Sequence, residues 1–180
     1  MRALNTFLFI LLLLSSTSSQ IPLSRWDLRI GAGASFPGIR SITPVLLENE
    51  VNYTLNDLLT TSLGIDVAWG KNQNHESLSY LQGNLNLFVS PFKNYYRSDL
   101  RFGSGLSYWN LLTSLYADSG TSLDQIPIES YTYQYVGLNA ILEVRSIVFT
   151  KSMIGFKLLG QWYHRRIHNY AILLKYGFVL

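Results

Sequence analysis

Two of the chain's three histidines, His164 and His168, lie four residues apart. That spacing suits a zinc ion only on a helix, where residues i and i+4 share a face. Here the pair flanks a turn between extended segments, which predicts loop histidines and no metal. His75 stands alone in the polar stretch 70–76. Ser104 and Ser107 have no evident catalytic partner. Gly103-Ser104-Gly105 leads into no helix that would help cradle a phosphate. Arg165-Arg166 could meet lipid phosphates but also reads as ordinary loop charge. No residue set calls for a catalytic site or a cofactor.

The remaining chemistry is charge, and its spacing is the informative part. Arg25, Asp27, Arg29, Glu48, Glu50, Asp66, Arg97, Asp99, Arg101, Glu143, Arg145, Lys157 and Lys175 all fall on one side of period-two segments. The opposite side is apolar. It carries Leu28, Ile30, Leu63, Ile65, Val67, Leu85, Leu87, Val136, Leu138, Ile172 and Leu174. Successive side chains of a strand point to opposite faces, so the alternation predicts strands with one charged face and one apolar face.

Eight such segments occur: 25–36, 45–55, 59–69, 79–91, 96–109, 131–145, 152–163 and 168–180. Connections near Asn56, Lys93 and Thr150 read as short, the first, third and fifth as longer, and the seventh, around Arg165-Arg166, as short again. Residues 110–130, with ADSGTS and Pro127, read as the longest irregular segment. Aromatic residues sit near segment ends, chiefly Trp26, Trp69, Tyr108, Trp162, Tyr176 and Phe178. Trp109, Phe36 and Tyr53 belong to the same reading. Such a distribution suits the interfacial girdles of a membrane protein.

Composition agrees. Only 14% of residues are charged, against about 25% in ordinary soluble domains. After residue 20 no run approaches the roughly 20 apolar residues of a spanning helix. Residues 1–19 have a basic Arg2, an apolar run over 7–14 and small polar residues before Gln20. This is the layout of a cleaved secretory signal. It leaves 20–180 as one domain. The run is too short for an uncleaved anchor. There is no cysteine for a lipid anchor or a disulfide. A net charge of +3 is too small and dispersed for a nucleic-acid surface.

The expected fold is all-β, an eight-stranded antiparallel up-and-down transmembrane barrel. Apolar faces would meet lipid, and the charges would fill and plug the lumen as ion pairs. Inward glycines such as Gly103, Gly105, Gly137, Gly155 and Gly177 would leave room for the long stems. A soluble barrel with the faces reversed is the alternative that alternation alone leaves open.

The segments VNYTLNDLLTTSLGI, DLRFGSGLSY and YAILLKYGFVL resemble the small eight-stranded outer-membrane barrels of the OmpA/OmpX type. The resemblance covers the whole mature chain. It implies a Gram-negative outer membrane, contact with membrane lipid and lipopolysaccharide, and insertion by the barrel-assembly machinery through the last strand. That strand ends on Leu180, where the family usually has an aromatic residue. A monomer is expected, since a closed barrel leaves no edge. The functional expectation is a structural or surface-interaction barrel acting through its outer loops. A lipid or small-molecule transporter is the alternative. A lipid A-modifying enzyme comes third, because 164–169 lacks the His-x-Ser arrangement of such enzymes.

Overall fold

A computed structural model describes residues 25–39, 41–72, 76–92, 98–116, 127–164 and 167–180. The expected signal segment lies outside them, as do His75, Arg97 and the Arg165-Arg166 pair. The strands are β1 (Trp26–Pro37), β2 (Val45–Thr54), β3 (Leu59–Lys71), β4 (Glu76–Val89), β5 (Ser98–Tyr116), β6 (Pro127–Ile147), β7 (Ser152–Tyr163) and β8 (His168–Val179). Each pairs antiparallel with its sequence neighbour, and β8 returns to β1, so the sheet closes on itself.

The register fixes the barrel's geometry. One row of cross-strand neighbours runs Trp26, Tyr53, Thr61, Leu87, Ser104, Ala140, Gly160, Tyr170 and then Phe36. It re-enters β1 ten residues beyond its start. With about 3.3 Å per residue and about 4.8 Å between strands, that offset tilts the strands by about 40°. Each residue then climbs about 2.5 Å along the axis, and each step to the next strand about 3 Å.

This geometry sorts the exposed aromatics into two belts. Trp26, Tyr53, Tyr176 and Phe178 lie at the end where β1 begins and β8 finishes. Phe36, Trp69, Tyr108, Trp162 and Tyr170 fall together about 22–26 Å further up, close to the height of an outer-membrane apolar band, about 25 Å. Neighbours within a belt touch, as Trp26 and Tyr53 do at 4.6 Å between ring centroids. Between the belts the outside is apolar, with Leu63, Leu85, Leu106, Leu138 and Leu174 each more than half exposed. No described charge lies on that band. Arg or Lys at the bilayer midplane costs about 2–4 kcal/mol, which accounts for the one-sidedness. The organisation is that of a transmembrane barrel.

Polar side chains close the tight turns. The Asn56 carboxamide oxygen accepts from the backbone N–H of Leu58 and of Leu59, each at 2.9 Å. Asn72 accepts from the Glu76 N–H at 3.0 Å.

Three features differ from the sequence reading. First, 110–130 is not one irregular loop: β5 continues to Tyr116 and β6 begins at Pro127. Above the upper belt the outer face no longer meets lipid, so the apolar alternation that marks strands in the wall is no longer required. Second, the third connection shrinks to 72–75 because β3 and β4 extend into the polar stretch, while the fourth spans 90–97. Third, Trp109 is fully buried and belongs to no girdle. It occupies an inward position, where it shields the interior.

Candidate functional site

Of the thirteen charged residues expected inside, eleven are placed there. Arg25 is a correction: it is exposed, in the bend before β1, and its guanidinium reaches only the Tyr53 hydroxyl at 3.5 Å. The alternation that would turn it inward ends where the wall ends. Arg97 falls outside the described residues.

Ten of the eleven form one connected set of five cations and five carboxylates. Arg145 lies 3.2 Å from Asp99 and 3.5 Å from Asp27. Arg29 forks onto Asp27, with contacts of 2.6 and 2.8 Å, and its other arm donates to Glu143. Arg101 meets the same Glu143 oxygen at 2.7 Å and covers the Phe88 ring at 4.3 Å. Lys175 lies 2.9 Å from both Glu48 and Glu50. Lys157 donates to Glu48 and lies 2.9 Å from Glu50. All ten are buried. An unpaired buried charge is very costly, and equal numbers of each sign answer that cost. Gly177 makes the room: a Cβ there would stand 2.7 Å from the Arg29 stem.

Asp66, the eleventh, sits higher, among amides. It accepts from Asn84 at 2.8 Å and from Gln82 at 3.2 Å. Strand alternation alone does not single these amides out. The structure links them: Asn139 donates to Asn86 at 2.8 Å, Gln161 to Asn139 at 3.0 Å, and Asn169 to Gln161 at 3.0 Å. Above them Trp109 stacks on Tyr163 at 4.7 Å and meets Tyr80 edge-on at 5.4 Å. Below the ions Ile147, Met153 and Val179 form an apolar floor. The described inward side chains thus lie in storeys: apolar floor, ion network, amides, then aromatic rings.

The other candidate surface is the far end of β5 and β6. Tyr131, Tyr133 and Tyr135 occur at every second position, so they share a face. Their rings lie 6.3 and 6.2 Å apart and nearly parallel. Tyr135 continues the row to buried Trp109 at 6.1 Å. Tyr131 is 46% exposed and Tyr133 40%. Tyr133 faces the axis at the far end of the wall.

The β6 pairing with β7 begins only at Gly137. The Val148 N–H donates to the Ser152 carbonyl across these two strands, so even-numbered residues of β6 direct their backbone groups toward β7. Ser130, Thr132 and Gln134 therefore aim theirs at an edge that no described strand covers. Of the histidines, His164 is exposed just past β7, and His168 opens β8 with its ring 5.4 Å from that of Tyr170.

No protein-family model and no curated protein matches the chain. Solved structures do. Neisserial surface protein A aligns over 86% of this chain and 96% of its own, with TM-score 0.65 and 9% identity. The attachment invasion locus protein Ail of Yersinia pestis aligns over 85% and 95%, with TM-score 0.56 and 9% identity. The outer membrane enzyme PagL aligns over 86% and 99%, with TM-score 0.52 and 8% identity. The fold is therefore that of the small eight-stranded outer-membrane barrels.

Proposed function

We propose that the protein is an exported, integral barrel of a bacterial outer membrane, with both termini on the periplasmic side. It works as a surface-interaction protein through the β5–β6 hairpin. The carrying observation is the exposed row Tyr131–Tyr133, above the upper belt, beside a strand edge that no described strand covers. A row of exposed aromatic rings is well suited to contact with a partner. Solved structures of the same fold include a protein named for attachment, which fits this reading at the level of fold.

The lumen supports no passage. Its space is taken by paired charges, and a gap of about 150 Å³ beside them cannot hold a water-sized sphere. A transporter of apolar ligands needs an apolar cavity instead. The fold also occurs in an enzyme, but among the described residues no nucleophile–base pair favours that activity.

Cells displaying the wild-type protein are to be compared with cells displaying a Tyr131→Ser, Tyr133→Ser variant for attachment to matrix-coated surfaces. Planar-bilayer recordings of both accompany the assay. Attachment that falls in the variant, with no stable channel from either, is expected. Equal attachment, or a steady conductance, refutes the reading.

A further inference from the structure

On the outer wall of β3 to β6, a cleft of about 630 Å³ is lined by Val67, Trp69, Ser79, Leu81, Asn110, Leu112 and Thr132, with backbone from Ala68 and Tyr80. Its height follows from the register. Val67 and Leu81 lie at or just below the upper aromatic belt. Trp69 is in the belt. Asn110, Ser79 and Thr132 stand about 2–10 Å above it. The cleft therefore starts in the acyl region and ends among lipid headgroups.

Its chemistry is neutral. No lining residue is charged; the nearest outward charge, Lys71, stands two positions beyond Trp69 on β3, level with the upper part of the cleft but not lining it. Asn110 is the direct cross-strand neighbour of Gln134, so two carboxamides sit side by side on the outward face. Among the described residues neither has a side-chain hydrogen bond, and neither do Ser79 and Thr132. The amides bring donors and acceptors, and the hydroxyls bring both in one group. A phosphate headgroup would call for Arg or Lys. A sugar offers many neutral hydroxyls, and its C–H face suits the indole of Trp69.

We infer that this cleft seats the saccharide headgroup of an outer-leaflet glycolipid, its acyl chains lying along Val67 and Leu81. The hydroxyls of the sugar pair with Asn110, Gln134, Ser79 and Thr132. Recognition is by neutral hydrogen bonds, not by phosphate charge. The inference rests on the outer-membrane orientation proposed above.

The test uses the full mature chain, refolded in detergent with equal amounts of diglucosyldiacylglycerol and phosphatidylglycerol bearing the same acyl chains. Native mass spectrometry then reads the lipid retained. The expected result is preference for the glucolipid on the order of tenfold, as a pair of net hydrogen bonds confers. An Asn110→Leu, Gln134→Leu variant, checked for folding by its heat-dependent gel shift, brings the two lipids to parity. Equal retention by the wild type, preference for phosphatidylglycerol, or a preference that survives in the variant overturns the inference. Protease added to intact cells reads the orientation separately. Cutting within 110–134 supports it, and protection there rejects the orientation whatever the lipids do.

Discussion

Glu143 is the residue on which the ion network turns, because Arg29 and Arg101 both meet its one oxygen. Glu143→Gln keeps the shape and removes the charge, leaving two buried guanidinium groups short of a partner. Breaking a buried pair from one side costs about 3–5 kcal/mol. The variant should unfold at clearly lower urea than wild type in detergent. Arg25→Gln, at an exposed bend, should stay within about 0.5 kcal/mol. A Glu143→Gln midpoint equal to wild type would mean that the pairing contributes nothing. Strand alternation made the inward side of Asp27, Arg29 and Glu143 legible in the sequence. It could not say that Arg29 and Arg101 converge on one carboxylate from strands far apart in the chain. Nor could it show that Arg25 has left the wall, since parity carries on past the point where the strand stops.

At the scale of strands, what was legible is what the bilayer dictates. Between the two belts every strand needs an apolar outside, so β1, β7 and β8 came out within a residue or two of their expected bounds. Above the upper belt that constraint lapses, and the arms of β5 and β6 read as loop. The parity of backbone groups there is testable. Thr132 directs its N–H to the uncovered edge, whereas Tyr133 directs its own toward β5. Proline removes a backbone donor. Thr132→Pro should therefore leave amide exchange of β5 near wild type, and Tyr133→Pro should speed exchange in 109–115. The reverse order would show that the pairing pattern of β6 is misassigned.

For the whole molecule, the claim that matters is which way the faces point. A soluble barrel of the same sequence would keep the alternation and turn it inside out. The closed sheet, the two aromatic belts about 22–26 Å apart and the balanced interior charge all follow from the membrane alternative. The chain has no cysteine, so single cysteines can carry a spin label without interference. The decisive measurement is oxygen accessibility of labels placed singly at positions 171–176 of the bilayer-reconstituted protein. The account predicts period two, with 172, 174 and 176 in contact with dissolved oxygen in the lipid and 171, 173 and 175 shielded. Labels at 171, 173 and 175 that instead face water, with 172, 174 and 176 buried away from lipid, would contradict it.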